Sequence, residues 1–128
     1  RAVMDRMSKE QLSGLPTFSE QISQKVVLQA NHFELTVEPS MLEKSGVLSN
    51  GVLTEVLTTV TRQLMMNSGK NLIIEQLLVY YLQAVQVDDT LRIETRIVRQ
   101  TRRSAIIDFD LYLNLQLVTK ATVTLKIN

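Results

Sequence analysis

The clearest pattern in the chain is a stripe of aliphatic residues near its middle. Ser49 or Asn50 can cap a helix with Gly51 in its first turn. Apolar residues then recur at spacings of three and four: Val52, Leu53, Val56, Leu57, Val60 and Leu64. We expect the helix to stop at residues 67–69, which end in a glycine. Its other face carries mostly threonines and little charge, which predicts a helix buried on most sides.

Period-two alternation predicts strands around this helix. Residues 26–37 read as one extended segment before the helix, and residues 72–82 are apolar on both faces, as in a strand covered on both sides. Three more segments alternate between apolar and polar residues and are joined by short turns: 91–97, 107–113 and 117–127. The order of elements predicts an α+β domain in which one curved antiparallel sheet wraps one long central helix.

The first 24 residues have a different character. Residues 4–12 can form a short helix, which Gly14 and Pro16 would end, and residues 17–24 are polar and rich in Ser and Gln. We therefore divide the chain into an N-terminal linker or appendage, residues 1–24, and a domain over residues 25–128. The chain starts at Arg1, not at Met, which we interpret as a segment of a longer protein.

Composition narrows the possible functions. Hydrophobic residues make up 45% of the chain and aromatic residues only 5%, so stacking platforms for single-stranded nucleic acid are not expected. A net charge of +1 is far from that of a duplex binder. With no Cys and a single His, disulfides and the usual metal sites are also not expected. There is no apolar run long enough to span a membrane, and we predict a cytoplasmic protein.

Local motifs add a resemblance to a known family. The loop from Met41 to Gly46, followed by Ser49-Asn50-Gly51, resembles the loop and His-Gly-Gly helix start of the hotdog-fold acyl-CoA thioesterase superfamily. The Asp89-Thr90-Leu91 segment resembles that family's Gly-Asp-Thr-Leu turn, and the resemblance covers residues 33–127. It implies a hotdog fold, a CoA thioester as ligand or substrate with no other cofactor, and a homodimer or higher oligomer joined through residues 72–82.

A narrower resemblance concerns the residues from Leu48 to Leu53. This string resembles the C-terminal hotdog module of bacterial regulators that also carry DRTGG and CBS domains. The resemblance implies a ligand-sensing part of a larger bacterial protein.

The family's catalytic pattern is only partly present. Thioesterases of this fold use a backbone N–H at the helix start, a carboxylate about two turns further on and an amide side chain in the preceding loop. Gly51 matches the first, whereas the second position falls on Thr58 and the third on Glu43. Glu55 could replace the missing base; otherwise it is solvated or paired with Arg62.

Five arginines lie between residues 92 and 103. Arg102 and Arg103 lie in a turn and could grip the CoA phosphates, whereas Arg92 and Arg96 are expected to pair across a hairpin with Asp108 and Asp110. The predicted ligand-binding residues are Asn50, Gly51, Thr54, Thr58, Arg102 and Arg103.

The sequence therefore predicts a non-catalytic module that binds a CoA thioester and dimerises, without contacting nucleic acid or membrane. The alternatives are a thioesterase that uses Glu55 or Glu43 as the catalytic residue, and a structural dimerisation module with an empty pocket.

Overall fold

The structure is a computed structural model that describes residues 16–66 and 71–128. The elements, in chain order, are α1 (Phe18–Lys25), β1 (Val26–Leu28), β2 (Phe33–Thr36), a short 3-10 helix (Pro39–Met41), α2 (Asn50–Leu64), β3 (Leu72–Tyr81), β4 (Thr90–Gln100), β5 (Ser104–Leu113) and β6 (Gln116–Ile127). The expected helix over residues 4–12 lies outside the described residues. Helix α2 ends at Leu64 with Met65 as its C-cap, before the stop expected at residues 67–69.

The six strands form a single antiparallel sheet in the order β1-β2-β4-β5-β6-β3. The predicted meander of β4, β5 and β6 is confirmed, since these strands pair consecutively. One central helix, α2, packs on the sheet, and this is the hotdog fold that the sequence predicts. The strand most important for the site is β3, because it lies at one edge of the sheet although it precedes β4 in the chain.

The start of α2 is the one that the sequence predicts. The Val52 N–H donates to the Ser49 Oγ at 3.2 Å, which caps the first turn. The aliphatic stripe packs into the core together with Thr61. In contrast, Thr54 is exposed and Thr58 is half-buried. The expectation of a helix buried on most sides is therefore wrong, because the sheet covers only one face of α2.

The N-terminal region differs from the sequence prediction in two places. Residues 26–37 form two paired strands instead of one, with a turn closed by the Gln29 N–H, which donates to the His32 carbonyl at 2.8 Å. The polar residues 17–24, interpreted as part of a linker or appendage, form most of helix α1 and are therefore not an extended linker. Thr17 caps this helix, and Ile22, its buried residue, is only 5% exposed and anchors it to the core.

Strand β3 is confirmed and contains an irregularity. Its register against β6 shifts between Ile74 and Gln76, so a bulge occupies Glu75. Inward positions are therefore even-numbered before the bulge and odd-numbered after it. The outward apolar side chains remain exposed among the described residues: Ile73, Leu78 and Tyr80, at 47%, 45% and 53%.

The packing of α2 on the sheet predicts a large difference between two identical substitutions. Leu57 is fully buried, and Leu57→Ala should lower the free energy of unfolding by about 2–5 kcal/mol. Leu115 is 92% exposed, and Leu115→Ala should change it by no more than about 0.5 kcal/mol. Urea denaturation measures both values, and equal effects would contradict the packing described.

Candidate ligand-binding site

The start of α2 can accept a ligand carbonyl. The first N–H groups of a helix have no carbonyl one turn earlier to bind, and Ser49 satisfies only that of Val52. Gly51 is exposed, and a Cβ added there would meet no atom within 4 Å. Gly51 lies in the first turn of α2, so its N–H is at the positive end of the helix dipole, where the backbone donor of an oxyanion hole can lie.

The loop before the helix brings Glu43, Asn50 and Tyr81 together. Gly46 closes this loop with a φ of 85°, and its N–H donates to the Glu43 carbonyl at 2.9 Å. The Tyr81 hydroxyl, at the end of β3, donates to the Asn50 Oδ1 at 2.8 Å. Burial raises the pKa of Tyr81, and the negative charge of Glu43 raises it further. Tyr81 therefore remains a hydrogen-bond donor and orients the Asn50 amide.

Glu55 does not have either of the non-catalytic roles expected for it. It is half-buried, and its Oε2 accepts a hydrogen bond from the Ser19 Oγ of α1 at 2.6 Å. The carboxylate is thus held by the N-terminal helix; it is neither fully solvated nor paired with Arg62. The predicted ligand residue Thr54 also has an internal partner, because its hydroxyl donates to the Asn50 carbonyl at 2.7 Å.

Thr58 lies beside a cavity between the second half of α2 and the first half of β3. The cavity has a volume of about 150 Å³ and is lined by Thr58, Thr61, Arg62, Leu72 and Ile74. Thr61 is only 1% exposed, and its hydroxyl has no hydrogen-bond partner among the described residues. Sequence reasoning missed Thr61 as a site residue, although a hydroxyl inside an aliphatic stripe was a visible signal.

Arg102 and Arg103 do converge, and a third cation joins them. Together with Lys126, Ile127 and Asn128 they line a hollow of about 410 Å³, which we call the basic hollow. The Ile127 N–H donates to the Arg103 carbonyl at 2.8 Å, which fixes the arginine turn against the end of β6. Sequence reasoning missed Lys126, although it pairs with Ser104 in the β5–β6 hairpin.

Arg92 and Arg96 lie on the outer face of the sheet. Arg96 pairs with Asp108 at 2.9 Å, as predicted. Hydrogen bonds from Thr122 and then Arg96 lower the pKa of Asp108. The predicted ion pair of Arg92 with Asp110 is wrong. The residue opposite Arg92 is Tyr112, whose ring lies 5.3 Å from the guanidinium, and Arg92 pairs with Glu94 along its own strand.

These features lie at opposite ends of β3. The helix start contacts Tyr81, the last residue of the strand. The cavity contains Leu72, the first residue, which pairs with Ile127 of the basic hollow. The two ends of a ten-residue strand are about 30 Å apart at ~3.3 Å per residue. In this chain, the helix start and the basic hollow are therefore far from each other.

Two absences apply to residues 16–66 and 71–128. In this part of the chain no three His, Cys, Asp or Glu side chains are grouped so that they could hold a metal ion. None of the helices described is long and apolar enough to cross a membrane.

A long helix on an antiparallel sheet, with an exposed glycine in its first turn and a cavity between helix and edge strand, defines a hotdog domain of the thioesterase type. The family model described as "Thioesterase superfamily" matches residues 45–114, more than half of the chain. The chain therefore belongs to the thioesterase superfamily.

Solved structures with the same fold include thioesterase superfamily member 2 from zebrafish. It has a TM-score of 0.76 and 21% identity, over 89% of this chain and 88% of that one. A hypothetical thioesterase from Streptococcus pneumoniae TIGR4, solved with coenzyme A, has a TM-score of 0.69 and 23% identity, over 80% and 84% of the two chains. The protein smu.793 from Streptococcus mutans UA159, bound to acetyl-CoA, has a TM-score of 0.68 and 23% identity, over 81% of this chain and 87% of that one. At these identities the likeness shows the shared fold.

Among curated proteins, the chain is 24% identical over 96 residues to the uncharacterized protein YtoI of Bacillus subtilis strain 168. The match covers 74% of this chain and only 22% of YtoI. The chain therefore spans about a fifth of the length of this relative.

The cluster at the helix start predicts an unusual titration for Tyr81. Its pKa should lie above 10.0, and Glu43→Gln should lower it because a nearby negative charge is removed. A raised pKa favours the neutral phenol in the folded state. The stability that this shift contributes should therefore be present below pH 10.0 and be lost as pH rises through the pKa of Tyr81 in the folded protein. NMR titration of the tyrosine Cζ resonances, assigned with Tyr81→Phe, measures the shift. Glu75→Gln is the matched control, and an equal effect from it would contradict the assignment.

Proposed function

We propose that the protein is a non-catalytic module that binds a CoA thioester as a homodimer and serves as the ligand-sensing part of a larger bacterial protein in the cytoplasm. The observation that carries the proposal is the combination at α2: the exposed Gly51 in the first helical turn and a hydroxyl, Thr58, at the position where the family's enzymes have a carboxylate. The first can hold a thioester carbonyl, and the second cannot activate water near neutral pH.

The basic hollow supports a nucleotide thioester as the ligand. Arg102, Arg103 and Lys126 present three cations around one concave surface. Guanidinium groups bind phosphate oxygens with two parallel hydrogen bonds, so the hollow suits the phosphates of CoA. Two structural neighbours were solved with coenzyme A or acetyl-CoA, which agrees with this assignment.

A homodimer through β3 would bring these parts together. The strand is at the edge of the sheet, and its outward apolar side chains are exposed, so it offers both backbone groups and apolar area to a second copy. In an antiparallel pair, the Leu72 end of one β3 lies beside the Tyr81 end of the other. The basic hollow of one subunit would then lie near the partner subunit's Gly51, and each site would contain both subunits.

The arrangement of the acidic residues argues against hydrolysis. A general base must be within hydrogen-bond reach of the attacking water. The Glu55 carboxylate accepts a hydrogen bond from the Ser19 Oγ and is held against α1. Glu43 lies near Tyr81 at the helix start and is exposed to solvent, so burial does not raise its basicity. A thioesterase using one of these glutamates is the second candidate function, favoured only by the family to which the chain belongs.

The sensing role is supported by the length of the relative YtoI. YtoI contains the matched region within a protein more than four times as long as the match, so such a domain can be joined to other segments. A ligand that binds here would act on attached domains only through its different affinity for their two states.

Native mass spectrometry of the chain with acetyl-CoA tests the proposal. We expect a dimer of twice 14.6 kDa that carries two intact acetyl-CoA molecules and produces no free CoA over hours. Steady release of CoA that is lost in Glu55→Gln or Glu43→Gln would establish the enzyme instead. A dimer that binds nothing would leave a structural dimerisation module, and a monomer that carries ligand would refute the shared site.

Native mass spectrometry of variants also tests whether the basic hollow binds the CoA phosphates. Arg102→Ala with Arg103→Ala should weaken acetyl-CoA binding at least about tenfold and reduce its salt dependence, because charge-assisted hydrogen bonds are lost. The matched control removes two arginines from the outer face, Arg92→Ala with Arg96→Ala, and should leave the affinity within about twofold, since these groups are screened from the site.

Gly51→Ala should separate ligand binding from stability. Because the added methyl group meets no protein atom and alanine favours helices, the melting temperature should be unchanged or higher. Acetyl-CoA should nevertheless bind more weakly, since the methyl group stands beside the N–H. Gly46→Ala should instead lower the stability. Gly46 has a φ of 85°, which alanine rarely adopts, and the added Cβ would lie 3.1 Å from the Ala84 Cβ. Unchanged binding by Gly51→Ala would exclude its N–H as the thioester contact.

A further inference from the structure

We propose that the cavity lined by Thr58, Thr61 and Arg62 binds a carboxylate at the far end of the acyl group, so that the preferred ligand is a dicarboxylic acyl-CoA. This inference rests on the proposed function, because it assigns the acyl specificity of the same CoA thioester site. It is drawn from the polar groups of the cavity, from its size and from its place beside the basic hollow.

The polar groups of the cavity match an anion. Thr61 is 1% exposed, and its hydroxyl has no partner among the described residues, although a buried hydroxyl without a hydrogen bond costs free energy. Thr58 adds a second hydroxyl, and Arg62 adds a guanidinium that can only donate. A ligand that accepts hydrogen bonds and carries negative charge would pair with Thr58 and Arg62, and a carboxylate does both. The Thr61 oxygen is itself buried, and rotation about the Cα–Cβ bond would turn it toward the same ligand.

The remaining walls and the size suit a short acyl chain. Leu72 and Ile74 of β3 supply aliphatic surface opposite the helix. A volume of about 150 Å³ accommodates a group about the size of benzene. A few methylene groups ending in a carboxylate fill such a space, with the methylenes against β3 and the carboxylate against α2.

The place of the cavity suits the acyl end of a bound thioester. Leu72 lines the cavity and pairs with Ile127 of the basic hollow, so the two binding surfaces adjoin. In the proposed dimer the same end of β3 lies beside the partner subunit's Gly51, where the thioester carbonyl would bind. One ligand molecule would then place its phosphates in the basic hollow, its thioester carbonyl at the partner subunit's helix start and its acyl tail in the cavity.

An acidic acyl tail would also explain why a threonine, Thr58, stands where the family's enzymes have a carboxylate. A carboxylate at this position would lie beside the acidic tail and repel it, because like charges a few ångströms apart disfavour each other. A threonine removes that repulsion and adds a donor. The residue that prevents hydrolysis in the proposed function is therefore the residue that admits an acidic acyl group.

Isothermal titration calorimetry with two acyl-CoA probes of equal shape tests the inference. Glutaryl-CoA ends in a carboxylate, and 5-methylhexanoyl-CoA has an isopropyl group in its place. We expect the wild-type dimer to bind glutaryl-CoA at least about tenfold more tightly, the ratio of one strong charge-assisted hydrogen bond. Free glutarate should bind far more weakly than glutaryl-CoA, because it lacks the nucleotide contacts.

Variants assign the preference to the cavity. Arg62→Gln should reduce the preference to less than about threefold while leaving 5-methylhexanoyl-CoA binding unchanged, and Arg62→Lys, which keeps the charge, should retain part of it. Thr61→Val should also weaken glutaryl-CoA binding. Because it removes an unpartnered buried hydroxyl, it should at the same time raise the melting temperature of the unliganded protein, an effect that a structural hydroxyl would not give. The charge-matched control, Arg99→Gln, should leave the ratio of the two affinities unchanged.

The outcomes separate this inference from the proposed function. If both probes bind equally well, or if Arg62→Gln weakens both equally, the carboxylate subsite is wrong and the CoA-binding module stands. If free glutarate binds as tightly as glutaryl-CoA, the cavity is an independent anion site and the acyl assignment is wrong. If neither thioester nor acetyl-CoA binds, both proposals are overturned.

Discussion

The packing of one helix face against one sheet is the interaction on which the rest of the structure depends. The aliphatic stripe of α2 is inserted among the inward side chains of β2, β4, β5 and β6, which together form one core. The helix has only one face to give to this core. Its threonine face is left toward the edge strand and solvent, and the candidate cavity and the open helix start both follow from that division.

Most of the fold could be predicted because its signals are local. The 3.6-residue stripe of α2 and the alternation in β4, β5 and β6 each indicate one kind of element, and the turns between them are short. The N-terminal region is different. A helix docked by a single buried residue, Ile22, leaves almost no periodic signal, and its stability comes from tertiary packing that sequence reasoning cannot see. The same is true of the turn that splits residues 26–37 into a hairpin.

The site was predictable where it depends on backbone or turn position and less so where it depends on neighbours. The Ser49 cap, the glycine after it and the arginine turn are properties of short segments. The bond between Ser19 and Glu55 joins residues 36 positions apart, and the orphan hydroxyl of Thr61 is defined by what does not reach it. Lys126 is an intermediate case, since its place beside the arginines follows from the hairpin register. The choice between a hydrolase and a binder depends on such neighbours, and the family resemblance alone does not make it.

The bulge at Glu75 has a consequence for how the chain length of β3 can vary. Before it the inward residues are Leu72 and Ile74, and after it they are Leu77, Val79 and Tyr81. Deleting one residue here would restore a regular strand and turn either the first group or the second toward solvent. The inward–outward alternation of the residues in the cavity wall is therefore offset by one residue from that of the segment that ends at Tyr81. Insertions and deletions in β3 should accordingly be rarer among its relatives than those in the loop around Gly46.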